Sequence, residues 1–575
     1  MENAEYARLL AETADLMEIA GEDGFRIRSY RNAAATIEGL PERIDDILKD
    51  PTRSVTGVPG IGKGIASALN EIAARGSFER RDEMLAKYPP TALEMLQIQG
   101  LGPKSVALII EHFRVSTLDG LERLAKEGKL QTLPRMGAKL EEKVLRSIAA
   151  YRQRAGRFLL SFATGVAHEL SEHLRQNGAG QVEAAGSVRR GRETVGDVDL
   201  LVTGGDAGRI IQSFVSHPRV HEILVKGENK ASVKIGIEGL QVDLRALPAE
   251  SYGAALQYFT GSKTHNVALR QRALKLGYTL NEYGLTTLEG GTLVAGASEE
   301  EIYQKLGLAW IPPELRENQG EIEAAEAGTL PALIVLPDIR GDLHMHTRET
   351  DGRATLEEMA AEAQTHGYDY IAITDHSKAL AMANGLDEAR VTAFAKQVRA
   401  INKEGIGIRV LSGLECDIRR DGTMDIENDA LAELELVVAS VHSHMNLEPA
   451  EMTDRLLRAI ENPHVKILGH PTGRQLLHRE SYPFDFDQVA MAAVKHGVAF
   501  EINASPERLD LGGTLIRAAK AKGARFTIST DAHHPKHLAN MPFGVITARR
   551  GWLTKHDVLN TLPAEKFLQA LRRPA

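Results

Sequence analysis

Gly186-Ser187-Val188-Arg189-Arg190, then Gly196-Asp197-Val198-Asp199-Leu200-Leu201-Val202, is the segment from which the architecture of this chain can be read outward. Residues i and i+2 of a strand share a face, so Asp197 and Asp199 stand side by side at the head of an apolar run. A third carboxylate, Asp243, lies inside a second apolar run, Leu240 to Leu244. If the two runs lie in one sheet, three acids meet on one patch. Like charges that close push one another toward protonation. A pair of Mg2+ or Mn2+ ions roughly 3.5 to 4 Å apart would neutralise them and clamp both oxygens of an in-line phosphoryl displacement. The loop in front has matching chemistry, because backbone N–H groups, the Ser187 hydroxyl and Arg190 can hold triphosphate oxygens. An isolated Asp-x-Asp is common on solvated strand faces. Here apolar neighbours bury both strands, where an unpaired charge is costly, and the pattern predicts nucleotidyl transfer.

At 575 residues the chain is too long for one core, and several folding units are expected. Its 43% hydrophobic and 26% charged residues are those of a soluble globular protein. With no run of 18 apolar residues and no signal pattern after Met1, neither a membrane nor export is expected. The single cysteine, Cys416, cannot form an intrachain disulfide and fits a reducing cytoplasm. A net charge of -9 hides an uneven distribution. Residues 51–157 hold 18 Lys+Arg against 11 Asp+Glu, whereas residues 317–575 hold 29 against 37. DNA contacts are therefore expected in the first region and metals in the second.

Apolar spacing predicts helices over 3–20 and 29–38. After them come Gly57-Val-Pro-Gly60-Ile-Gly62-Lys63 and Gln99-Gly100-Leu-Gly102-Pro-Lys104, each a tight glycine turn opening an apolar helix. Leu133-Pro-Arg-Met-Gly137-Ala-Lys139 is a weaker copy. Such a turn aims the first N–H groups of a helix at one phosphate, with Lys63 or Lys104 adding charge, and reads no sequence. A lone glycine turn is usually only a connector. Two good copies in a basic region predict helix-hairpin-helix grips on DNA, through Gly60, Gly62, Lys63, Gly100, Gly102 and Lys104.

Together with Phe25-Arg-Ile-Arg-Ser-Tyr-Arg31 and Tyr258-Phe259-Thr-Gly261-Ser262, these motifs resemble the family X DNA polymerases, of the DNA polymerase beta type, over roughly residues 1–316. The resemblance implies α-helical helix-hairpin-helix N-terminal domains followed by an α+β nucleotidyltransferase palm and thumb. It makes Asp197, Asp199 and Asp243 the catalytic metal ligands, and places Ser187, Arg190 and Gly196 on the incoming triphosphate. Tyr258 and Phe259 would wall the sugar and base, next to Gly261. Asn266 and Arg270, four apart on a helix and so on one face, would face the new base pair. Three positions depart from the pattern. Ala68 stands where lyase-active relatives carry the Schiff-base lysine, and alanine cannot form that imine. Gln241 replaces an arginine beside Asp243. Lys263 replaces an aspartate in the nucleotide pocket, where a cation is expected to attract Mg-dNTP.

Beyond residue 337, short apolar runs each lead to a metal-binding side chain: His344 and His346, His376, Glu415, His442, His470, and Asp531 with His533. Helical stretches alternate with them, as in a parallel barrel, whose chemistry gathers at the C-terminal ends of strands. Imidazole with carboxylate suits Mn2+, Fe2+ or Zn2+. The region resembles the PHP (polymerase and histidinol phosphatase) domain, which implies a distorted (β/α)7 barrel binding up to three ions. Carried over residue by residue, its ligands are His344, His346, Asp351, His376, Glu415, His442, His470, Asp531 and His533. His444 is assigned instead to substrate contact.

The chain is thus expected to comprise an 8 kDa-like domain (1–85), fingers-like domain (86–155), palm (156–248), thumb (249–316), linker (317–337) and PHP phosphoesterase domain (338–575). The expected function is gap-filling DNA synthesis in base excision repair. A Mn2+-dependent 3'-5' exonuclease would accompany it, with room for abasic-site endonuclease and 3'-phosphatase activity. Its partners would be gapped or primed double-stranded DNA and dNTP, and the protein is expected to be a monomer. Two rivals are a PHP phosphoesterase whose front half only delivers DNA, and a small-molecule phosphatase. The intact aspartates speak against the first and the hairpins against the second.

Overall fold

The computed structural model describes residues 3–571 apart from positions 39, 41, 42, 51, 52, 59, 135 and 155. The chain divides into two compact units, residues 1–155 and 156–575.

The first unit is helical. Helices Asn3–Ile19 and Gly24–Glu38 form its entry hairpin, and its interior consists of two apolar clusters that Tyr30 touches in common. In the first glycine turn Ile61 N–H donates to the Val58 carbonyl at 3.1 Å; in the second Leu101 N–H donates to Ile98 at 3.0 Å. Gly60 and Gly100 sit at φ +84° and +97°, the left-handed conformation that the third residue of a type II turn requires. Helices Lys63–Arg75 and Pro103–Phe113 then start from Gly62 and Gly102. The weaker copy keeps the same bond, Met136 N–H to the Leu133 carbonyl. Pro59 of the first motif and Arg135 of the third lie outside the described residues. The Ala68 methyl faces the first apolar cluster beside Ile65 and Leu69.

The second unit begins with a five-stranded mixed sheet, whose order is Gln181–Ala184, Asp197–Thr203, Leu240–Leu247, Lys230–Ile235, Val220–Lys226. Asp197–Thr203 and Leu240–Leu247 run parallel as neighbours. Helices Leu160–Gln176 and Ala207–Val215 cover one face. Helices Tyr252–Thr260 and Lys263–Lys275 follow, then a three-stranded antiparallel sheet and helix Glu299–Lys305.

The segment 317–337, read as a linker, is packed. It contains helix Glu321–Glu326, whose Glu321 is fully buried and bonds His265 Nδ1 at 2.7 Å, and whose Ile322 and Ala325 enter the preceding apolar cluster. The buried glutamate is offset by His265 and by N–H donors from Asn318 and Gln319.

Seven parallel strands follow in chain order, from Gly341–Asp342 to Phe526–Ser529, as a nearly closed barrel with helices between strands. Between the first and last strands, His346 N–H donates to the Ala532 carbonyl and Ala532 N–H to the His344 carbonyl. Farther along this seam the buried Asn560 amide bonds the Gly341 carbonyl and both backbone groups of Ile528. Alternation of apolar strands and amphipathic helices predicts this barrel, and the fold class read from the sequence holds throughout.

Candidate metal centres

Asp199 stands directly opposite Asp243 across the parallel pair, and Asp197 opposite Gln241. With Asp197 two residues before Asp199, the three carboxylates occupy one face of two neighbouring strands. Burial first, then Asp197 and Asp243, push the Asp199 carboxyl up to about 7. Asp197 is raised by burial and by Asp243. A divalent cation would relieve this repulsion. Asp243 is oriented from both sides, by the Ser232 hydroxyl on the adjacent strand and by Gln241 Nε2 at 3.0 Å. Gln241 thus supports Asp243 as a neutral donor, where the family pattern has a cation.

The Gly186–Arg189 turn lies against this patch. Gly186 has φ +61°, and a Cβ there would stand 2.9 Å from Asp199 Oδ2, so only glycine permits the approach. Ser187 follows within the turn, and Gly196 is exposed just before Asp197. Arg190 is nearly buried. Its guanidinium bonds the Thr260 carbonyl and pairs with Glu317 at 3.2 Å. Its neighbour Arg189 forms a two-pronged pair with Glu299, at 2.8 and 2.9 Å, and Arg316 meets the same carboxylate from the other side. These cations hold Glu299 down to about 2 against the effect of burial.

Tyr258 and Phe259 end their helix edge to face, with Arg245 stacked over Phe259 at 4.5 Å. Gly261 is buried at the junction, a would-be Cβ 3.1 Å from Arg190 Nη1, and Lys263 is exposed at the first turn of the next helix. Asn266 turns inward, accepting from Gln257 at 2.8 Å and donating to the Tyr258 carbonyl at 2.7 Å. Arg270 is exposed on the same face, its Nε on the Asn266 carbonyl. In the first unit, Gly60, Gly62, Lys63, Gly100, Gly102 and Lys104 are all exposed at their two turns.

At the C-terminal end of the barrel the nine expected ligands come together. Three groups have donor atoms within 4.8 Å of one another: His346, Asp351, His376 and His533; His344, His346 and Asp531; His376, Glu415 and His442. His470 joins them through Glu415, Nε2 to Oε1 at 2.8 Å. Ring atoms of His344, His346, His376, His442 and His470 are buried without a hydrogen-bond partner, and orphaned imidazole nitrogens beside carboxylates are a donor set that fits divalent cations. Burial would lower His344, but Glu501, Glu415 and Asp531 raise it well above its ordinary value. His376 and His442, chiefly through Glu415, rise against burial to about 10 and about 9. His346, buried among His533 and His376, falls to about 3. The carboxylates of Asp351, Glu415 and Asp531 thus favour positive charge at this site, which a bound cation would supply. His444 is exposed and belongs to none of the three groups.

Three supporting residues escaped the sequence reading. Glu501, on the one barrel strand that had drawn no attention, bonds His344 Nδ1 at 2.7 Å and so directs Nε2 inward. The Phe500-Glu-Ile-Asn503 run carried the same signal as Gly413-Leu-Glu415: a glutamate in a buried strand. Asp417 stands 3.3 Å from His442 Nδ1. Arg508 reaches Asp531 Oδ2 at 3.5 Å and leaves Nη1 buried and unpartnered.

Family models match four stretches: a helix-hairpin-helix domain over 1–78, a SAM-like helix-hairpin-helix tandem over 92–150, the DNA polymerase beta thumb over 255–317 and the PHP domain over 342–504. The DNA polymerase/3'-5' exonuclease PolX of Bacillus subtilis (strain 168) is 36% identical over 575 residues, all of both chains. The chain belongs to the PolX-type family X DNA polymerases. As a family X enzyme with a C-terminal PHP domain it is a DNA-directed nucleotidyltransferase and a 3'-5' exonuclease, and the families of both halves are metal-dependent. The PHP half also resembles proteins named as probable phosphatases: one of Thermoanaerobacter sp. (strain X514), 29% identical over 38% of this chain and 89% of that protein, and one of Edwardsiella ictaluri, 30% identical over 40% and 95%. A solved ternary complex of Leishmania infantum polymerase beta matches 40% of this chain and 98% of its own at 22% identity and TM-score 0.27. Among the described residues of this family X chain, no helix is long and apolar enough to cross a membrane.

Proposed function

We propose that the protein fills short gaps in double-stranded DNA during base excision repair, adding nucleotides at Asp197, Asp199 and Asp243 and trimming 3' ends at the barrel centre. The observation that carries this reading is the register that sets Asp199 against Asp243 with the Gly186–Arg189 turn laid upon them. Magnesium or manganese suits the all-carboxylate palm, manganese the mixed imidazole and carboxylate barrel; bound there, the ions supply Lewis acidity toward phosphoryl oxygens and activate a nucleophile. The chain's own groups do the rest. Ser187 and Arg190 hold the triphosphate, Gly196 leaves room beside Asp197, and Tyr258 and Phe259 bound the sugar. Lys263, exposed at its helix start, adds a cation for the incoming nucleotide. At the barrel, Glu501 sets the tautomer of His344 and the Asp417 carboxylate stands beside His442, while the unpaired Nη1 of Arg508 offers a donor to the scissile phosphate. The glycine turns with Lys63 and Lys104 hold the DNA backbone, and the barrel chemistry extends to abasic sites and 3'-phosphates. We place the enzyme in the bacterial cytoplasm, acting as a monomer.

The test measures extension of a gapped primer and release of nucleotides from a 3'-labelled strand in Asp199→Ala and Glu415→Ala proteins. Extension falls to background in the first with trimming retained, and the reverse holds in the second. Extension by Asp199→Ala at the wild-type rate would refute the palm assignment, and undiminished trimming by Glu415→Ala the barrel assignment.

A further inference from the structure

The turn assigned to the triphosphate is not held by the palm and thumb alone. Helix Met541–Arg550, which follows the last barrel strand, packs its C-terminal half against it. Gly191 closes the turn at φ +64°, and a side chain there would collide with Ile546 of that helix. Arg550 Nη1 donates to the Arg190 carbonyl at 2.9 Å and stands 3.3 Å from Glu317 Oε1, the same oxygen that Arg190 Nε approaches at 3.2 Å. Arg192 adds a third cation to Glu317 at 3.7 Å. Two residues past Gly191, Glu193 reaches Arg474 of the barrel, also at 3.7 Å. The Arg550 side chain is 8% exposed, so its own contacts to the turn and to Glu317 are made away from bulk water, where they are least screened.

We infer that Arg550 is a positioning residue for nucleotide addition: it fixes the backbone of the triphosphate turn and shares Glu317 with Arg190, so that Arg190 can turn to an incoming dNTP. Two physical consequences follow. A phosphate oxygen must compete with Glu317 for the Arg190 guanidinium, and a second cation on Glu317 weakens that competitor. The bond to the Arg190 carbonyl restrains the peptide from which the guanidinium extends, so less freedom is lost when nucleotide binds. The exonuclease half thereby sets nucleotide affinity in the polymerase half, through a helix that carries none of the nine barrel ligands.

This inference rests on the reading of Arg190 as a triphosphate contact, and the experiment separates the two. In the full-length protein, dNTP KM and kcat are measured on gapped DNA for Arg550→Ala, Arg550→Lys, Arg190→Ala and the double variant Arg550→Ala/Glu317→Gln, with 3'-5' exonuclease rate as the folding control. Arg550→Ala is expected to raise dNTP KM by roughly tenfold with a smaller change in kcat and an unchanged exonuclease rate, the size expected for losing one charge-assisted contact. Arg550→Lys, which keeps the charge but not the fork, should lie between it and wild type. Removing the competing charge in the double variant should lower KM back toward wild type, which a merely destabilised fold would not do. If dNTP KM of Arg550→Ala and Arg550→Lys stays within about twofold of wild type while Arg190→Ala raises it, or if the double variant is no better than Arg550→Ala, the inference is wrong. If Arg190→Ala itself leaves KM unchanged, the triphosphate reading fails and this inference with it.

Discussion

Glu299 shows what a single side chain does in this enzyme. Three residues apart in character, Arg189 of the Gly186–Arg189 turn, Arg316 and the Trp310 indole, all bond one buried carboxylate. Because its folded value is held at about 2, below an unfolded value near 4.5, its contribution is fully present above about pH 4.5. It is lost as the pH falls through about 2, and amounts to on the order of 3 kcal/mol. Glu299→Gln should therefore unfold more readily than wild type in denaturant at neutral pH, and the gap should close between about pH 4.5 and pH 2; a gap independent of pH would contradict this. At this scale the sequence was readable where chemistry and spacing coincide. Asp197 and Asp199 declare themselves by their i, i+2 spacing, and the histidines by following apolar runs. Glu299, Glu501 and Arg508 did not, because a residue that acts through another carries no spacing of its own.

At the scale of elements, the two glycine turns are the clearest case of sequence becoming structure. Gly60 and Gly100 adopt the positive φ their turns demand, and each turn hands a helix N-terminus and a lysine to solvent. If Lys63 and Lys104 each neutralise one DNA phosphate, each alanine substitution should lower the slope of log Kd against log salt concentration by about 1, uniformly across DNA sequences. An unchanged slope measured by fluorescence anisotropy would remove that lysine from the interface. The barrel was equally legible, since strands buried on both faces read as unbroken apolar runs. Segment 317–337 was not. Its helix is short and glutamate-rich, and only the packing against His265 and the apolar cluster explains why it is ordered.

Across the second unit, the palm and the barrel share an interior. Leu509, beside Arg508 in the barrel, is fully buried in the palm's apolar cluster, with Leu476 and Phe543 packed against the same cluster. Leu509→Ala should cost about 3 kcal/mol and lower the inactivation temperatures of primer extension and 3' trimming together. Loss of heat resistance in only one activity would show that the two halves unfold independently. The amino-acid sequence by itself determined the two chemistries, the order of the elements and the residues able to carry charge and metal. These follow from local rules: strand alternation, helix periodicity and the donor atoms of each side chain. Only the tertiary structure decided which carboxylates oppose one another, that Asn266 turns inward, and that Arg550 and Ile546 stand behind the Gly186–Arg189 turn some 360 residues away in the chain. Contacts between residues so distant in sequence leave no periodic trace, because they depend on how whole layers pack.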